Sequence, residues 1–159
     1  MAQQSGKTND DKGRWSFLNW ITKLGAKLTA PVPSVGTKRW DSTIFAGISP
    51  DTNQPMYTTP ADAPGGTYTF NEAAAYAAKL DAYGHQDWRV PTNAELNVLF
   101  NNRAAIGGFN LTGSYPAGWY WSASQNGAGP AHGQRFEDGS QDTYGKGDHS
   151  SLRCIRFQP

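Results

Sequence analysis

The chain holds a single cysteine, Cys154, among 159 residues. One thiol excludes an internal disulfide framework and any zinc cage built on cysteine pairs. Its neighbours, Leu152-Arg153-Cys154-Ile155-Arg156-Phe157, spell a strand in which Cys154 alternates with arginines, and burial as a structural residue is expected there. Long hydrophobic runs are also missing. No stretch of roughly 18 apolar residues occurs, so the sequence offers no membrane-spanning helix. Residues 1–13 lack the apolar centre and small-residue cleavage site of a secretory signal. The expected location is therefore a virion, or the extracellular space reached by an unusual route, with the cytoplasm as the alternative.

Charge is sparse and unevenly placed. The formal net charge is +1. Residues 1–39 carry seven basic groups against two acidic ones, a balance of +5, while the remainder carries seven against eleven, a balance of −4. The acidic body is not expected to bind nucleic acid, and only the arm is suited to phosphates or anionic lipid.

Aromatics are plentiful at 13 %, alongside 18 Gly and 10 Pro. Disordered chains are poor in aromatics, and helical bundles are poor in glycine. A small, loop-rich α+β domain with one core follows.

Residues 1–13 read as a flexible polar tail. Within residues 14–30, Trp15, Phe17, Trp20, Ile21, Leu24 and Leu28 mark an amphipathic helix, with Lys23 and Lys27 on other faces. Such a short helix is marginal alone and needs a surface. Its own domain, another subunit or structural shell, and a membrane surface all fit. Residues 31–39 read as a Pro-rich linker, and residues 40–159 as the domain.

In the domain, residues 42–48 and 56–59 read as a hairpin around the turn Ser49 to Pro55. An Ala-rich helix follows, with Asn71 as the expected N-cap, Tyr76, Leu80 and Tyr83 on one face, and Gly84 as its stop. Thr92 and Glu95 have the spacing of a capping box for a second helix reaching about Arg103. Trp88 is expected to anchor helix to sheet, Arg89 to pair with an acid or a loop carbonyl, and Pro91 to set the start of that helix. Strands are expected near residues 118–124, 133–139 and 152–157. Strand alternation in Trp119-Tyr120-Trp121 predicts a buried Trp pair with Tyr120 exposed, or the reverse.

The blocks Ala61-Asp62-Ala63-Pro64-Gly65-Gly66, Phe70-Asn71-Glu72-Ala73, Gly84-His85-Gln86-Asp87-Trp88-Arg89-Val90-Pro91-Thr92, Glu95-Leu96, Trp119 to Ser124, Phe136-Glu137-Asp138-Gly139 and Arg153-Cys154-Ile155-Arg156 occur in that order. Over about residues 44–157 the chain resembles the Legionella collagen-like protein C-terminal domain family. The resemblance implies an α+β, C-type-lectin-like fold, related to the formylglycine-generating enzymes, with two helices, a twisted antiparallel sheet and paired first and last strands. Variable proteins of diversity-generating retroelements share this architecture and vary between the aromatic-Ser motif and the final strand.

That interval here runs from Gln125 to Ser151. The candidate ligand-binding residues are Tyr120, Gln125, Asn126, His132, Gln134, Gln141, Asp142, Tyr144, Lys146, Asp148 and His149, polar and aromatic types on a glycine-rich frame. The acidic stretch Glu137-Asp138-Gly139-Ser140-Gln141-Asp142 could offer oxygens to calcium, but Asp-Gly is first a turn signal. His85, His132 and His149 lack metal-helix spacing, and no cofactor is expected. No catalytic constellation is legible.

The expected function is therefore non-enzymatic: an adhesin-like module on a larger assembly, such as a phage particle or tail tip. It would meet a protein or glycan receptor through the C-terminal loops, and a structural protein or its own oligomer through the N-terminal helix. The alternatives are a bacterial surface lectin and a degenerate relative of the formylglycine-generating enzymes.

Overall fold

A computed structural model describes residues 31–157, and the expected tail and amphipathic helix of residues 1–30 lie outside the described residues. The order of elements is β1 (Ile44–Ile48), β2 (Pro55–Thr58), α1 (Phe70–Lys79), α2 (Asn93–Asn101), α3 (Arg103–Ile106), β3 (Trp119–Gln125), β4 (Ala131–Arg135), β5 (Gln141–Tyr144) and β6 (Ile155–Phe157). Two three-stranded antiparallel sheets result, β1-β2-β6 and β3-β4-β5, and the fold is α+β. Among the described residues, no helix is long and apolar enough to cross a membrane.

The expected pairing of first and last strands is corrected. β6 bonds to β2, with Tyr57 opposite Arg156, and β2 lies between β6 and β1. β1 is an edge, and the preceding chain extends it. Gly36 N–H donates to the Phe45 carbonyl at 2.9 Å, and Phe45 N–H donates back to Thr37 at 2.9 Å. A Cβ at Gly36 would collide with the Ala105 carbonyl, and Val35 packs on the core, so the second half of the proline-rich stretch is docked against the domain.

Both longer helices begin with a reciprocal capping box. Thr92 accepts from Glu95 N–H while the Glu95 carboxylate accepts from Thr92 N–H, as the spacing predicts. For α1 the cap is Thr69, paired with Glu72, rather than Asn71, which sits inside the helix. Thr69 wins because its partner three residues on is a glutamate. The helix also stops earlier than expected. Leu80 is its extended C-cap, and Tyr83, at φ 59°, lies in the turn beyond it.

Two cores share the chain between them. One gathers Phe70, Ala73, Ala77, Trp88, Trp121, Ala131, Leu152 and Cys154. The other gathers Ile44, Met56, Leu96, Leu99, Tyr120, Phe136 and Ile155. β3 forms a wall between them. Strand alternation sends Tyr120 to one side and Trp121 to the other, and neither has any exposed surface. The choice between a buried Trp pair and a buried Tyr is thus resolved by burying adjacent aromatics on opposite faces. The segment 152–155 repeats the arrangement, with Cys154 in the first core and Ile155 in the second.

Candidate functional site

The sheet β3-β4-β5 carries most of the candidate residues, and its register decides which of them share a face. Tyr120 stands opposite Gln134, which stands opposite Gln141; Trp121 stands opposite Gly133, which stands opposite Asp142. The first row faces α2 and the second core. Tyr120 donates to Asp62 Oδ2 at 2.7 Å and accepts from Asn110 N–H at 2.6 Å. Burial first, then the Asp62 carboxylate, pushes the Tyr120 phenol far above its ordinary range. Gln134 is fully buried, its amide donating to Asn97 at 3.0 Å and to the Gly139 carbonyl at 3.2 Å. Tyr120 and Gln134 are therefore corrected from ligand contacts to parts of the frame. β4 is the central strand with helix α2 on one face, so a side chain pointing that way is covered.

The opposite face is different. Asp142 and Tyr144 alternate onto it from β5, and Trp119 reaches it from β3. Gly133 leaves a gap in the middle of β4, and the Tyr144 ring lies across it; a Cβ on Gly133 would stand 3.3 Å from that ring. Leaning over the gap brings Tyr144 edge-on to Trp119 at 5.2 Å between ring centroids and within 6.0 Å of Tyr115. Tyr144 and Trp119 are half-buried, while Tyr115 is 55 % exposed. Partial burial, then the nearby Asp142, Tyr115 and Asp148, pushes the Tyr144 phenol up to about 12.

Around this aromatic corner the loops are open. Gln125, Asn126, Gln141, Asp142, Asp148 and His149 are exposed. Lys146 is half-buried, with its ammonium 3.4 Å from the Ala128 carbonyl and 5.5 Å from the Phe70 ring. His132 is half-buried opposite Thr143. Gln141 belongs to a second feature. With Asp51, Thr92, Asn93, Asn97 and Ser124 it lines a polar groove of about 560 Å³, where Asn93 donates to Gln141 at 3.2 Å. The Asn93 Oδ1 and Gln134 Oε1 atoms are buried without a partner. A slightly larger groove, about 580 Å³, lies elsewhere, along α1 between Tyr68, Tyr76 and Leu80.

Two of the carboxylates considered for calcium, Glu137 and Asp138, are engaged by a cation of the chain itself, while Asp142 accepts from the Thr143 N–H. Arg135 makes a close ion pair with Glu137 and donates to Asp138 at 3.0 Å, and Asp138 also accepts from Ser140 N–H at 3.0 Å. Among the described residues, no three His, Cys, Asp or Glu side chains gather as a metal site. The buried charges are likewise consumed by structure. Glu95 accepts two 2.7 Å bonds from the Arg89 fork and one from Ser49. Burial alone would raise its pKa, but these partners and the Thr92 N–H hold it below the ordinary glutamate range. Arg153, fully buried, donates to Asp62 at 2.8 Å and to the carbonyls of Thr59, Gly107 and Gly108. Arg156 donates to Asp87 at 2.7 Å. Burial pushes the Cys154 thiol up to about 12, far from the thiolate that nucleophilic chemistry requires.

Tyr115 and the groove residues Asp51, Asn93, Asn97 and Ser124 escaped the sequence reading. Tyr115 has a faint signal, an aromatic next to Pro116 just before the aromatic strand. The groove has none, because its residues come from four separate segments.

No curated protein matches the chain. The Lcl C-terminal domain family matches residues 38–156, a span that takes in the sheets and helices of the described residues and the open corner on β3-β4-β5, and the chain belongs to that family.

Proposed function

We propose that the chain is a non-enzymatic recognition module with a C-type-lectin-like fold. The open side of β3-β4-β5 and its turns meet a protein or glycan receptor, and residues 14–30 attach the domain to a larger assembly such as a phage particle or tail tip. One observation carries this reading. Polar and aromatic side chains, among them Trp119, Asp142 and Tyr144, stand open at the border of a face whose centre, Trp121 and Ala131, is buried in the first core and whose other face is fixed to α2 by fully buried Tyr120, Gln134 and Phe136. A face held this way loses little conformational entropy on binding, which is how rigid paratopes gain affinity. The engaged state of Glu95, Asp62 and Cys154 supports the non-enzymatic part, since each is held by structure or by burial rather than poised for proton or electron-pair transfer.

A bacterial surface lectin or adhesin is the second reading. The polar groove at Asp51, Asn97 and Gln141 favours it, because carboxylate and amide groups suit sugar hydroxyls.

Labelled full-length chain, tested against a panel of bacterial cells and a glycan array, decides between outcomes. The reading expects saturable binding that falls at least tenfold in the Gln125→Ala/Asn126→Ala/Asp142→Ala variant with an unchanged melting temperature. Removal of residues 1–30 is expected to abolish assembly and leave receptor binding intact. Binding untouched by the triple substitution would sink the assignment of this face, and turnover of any substrate by the wild-type chain would sink the non-enzymatic reading.

A further inference from the structure

The body carries seven cationic residues beyond position 39, and the ion pairs of the structure use four of them. Arg89 is tied to Glu95, Arg135 to Glu137 and Asp138, Arg153 to Asp62 and Arg156 to Asp87. What remains is an acidic excess, and part of it sits beside the aromatic corner. Asp142 shares the face of Tyr144, two residues along β5, and among the described residues its carboxylate accepts only from the backbone N–H of the adjacent Thr143, at 2.7 Å. Asp148 stands on the following turn, where its carboxylate oxygen would lie 3.3 Å from a Cβ on Gly145. Among the described residues, neither carboxylate enters an ion pair.

The rings supply the other half of the chemistry. Tyr144 and Trp119 meet at 79°, so they form a two-walled corner rather than a closed stack, and Tyr115 lies on the solvent side of it. Aromatic faces attract cations within about 6 Å of the ring centroid. The nearest cation of the same sheet, Arg135 opposite Trp119, is turned away into Glu137, Asp138 and the Gly113 carbonyl. Lys146 points to Ala128 and Phe70 instead. The corner is thus electron-rich and bordered by two carboxylates, and the nearby cations among the described residues, Arg135 and Lys146, are engaged elsewhere.

We infer that the corner formed by Tyr115, Trp119 and Tyr144, with Asp142 and Asp148 at its border, is a receptacle for a cationic side chain, arginine or lysine, presented by a protein partner. The inference rests on the reading of β3-β4-β5 as the recognition face and names the chemistry of what it recognises. An anionic partner is disfavoured at this spot by both the carboxylates and the ring faces. A neutral sugar could stack on Tyr115 but would leave the carboxylates without a charged counterpart.

The test titrates the full-length chain with three peptides that differ only at two positions, Gly-Ser-Arg-Gly-Arg-Ser-Gly and its Gln and Glu counterparts, following the Trp119 indole N–H by NMR. The Arg peptide is expected to shift this signal saturably and to bind at least fivefold more tightly than the Gln peptide, with the Glu peptide weakest. Tyr115→Ala is expected to weaken the Arg peptide about two- to fivefold. Asp142→Asn/Asp148→Asn should erase the preference for Arg over Gln, and 1 M salt, where screening is short-ranged, should do the same. All three substitutions are exposed or border the surface, and an unchanged melting temperature identifies a binding effect. Equal binding of Arg and Gln peptides at Trp119 would overturn the cationic inference while leaving the recognition face in place. A cell- or glycan-binding signal that survives every change at the corner and also the Gln125→Ala/Asn126→Ala variant would overturn both.

Discussion

Replacing Arg153 by Lys keeps the charge and removes the fork. In the native structure the Arg153 guanidinium donates to Asp62 and to the carbonyls of Thr59, Gly107 and Gly108, and it lies 3.9 Å above the Phe109 ring. An ammonium on a flexible stem reaches one or two of these acceptors at a time. At least two of these carbonyls then lose their donor; that of Thr59 is buried and those of Gly107 and Gly108 partly so, and an unsatisfied buried group costs about 1–3 kcal/mol. Asp62 partly keeps its solvent access, so its carboxylate does not add the full cost of an isolated buried charge. The expected loss is about 3–5 kcal/mol. For a domain of this size about 4 °C of melting temperature corresponds to 1 kcal/mol, so the midpoint should fall by about 12–20 °C. Scanning calorimetry checks the value. A double-mutant cycle with Tyr120→Phe, which removes the hydroxyl bonded to the same Asp62, should show coupling above about 0.5 kcal/mol. A midpoint within 3 °C of wild type, or strict additivity with Tyr120→Phe, would refute the claim that this network locks the loops beneath the sheet.

The Glu95 carboxylate, held below its ordinary pKa, makes stability depend on acid pH. Its contribution is fully present above the unfolded-state value, about 4.3, and is lost as pH falls through the lower folded value. Glu95→Gln should therefore flatten the acid limb of the denaturation midpoint against pH, and parallel curves for variant and wild type would contradict the linkage. Cys154, buried with its thiol pushed up to about 12, should resist a thiol-specific reagent at pH 8 in the native chain and react fully once denatured. Rapid native labelling would show that the first core opens readily.

The particular elements show where local chemistry sufficed. The Thr92–Glu95 box, the hairpin of β1 and β2 and the pairing of Arg89 with Glu95 all follow from residues near one another along the chain. The cap of α1 was missed by two residues, because Asn71 and Thr69 are both good caps and only the position of Glu72 separates them. The candidate surface was legible as an interval but not as a face. Tyr120 and Gln134 look like contact residues by type, and only the packing of α2 on β4 covers them.

Sequence alone determined the class of the domain, the cap that starts α2 and the burial of its one cysteine, because each depends on composition or on neighbours along the chain. Tertiary structure decided the rest. The order β1-β2-β6, the wall that splits adjacent aromatics between two cores and the glycine gap that lets Tyr144 lean on Trp119 all bring together residues far apart in sequence. Such pairings are set by which surfaces bury best against each other, and no local pattern encodes that choice.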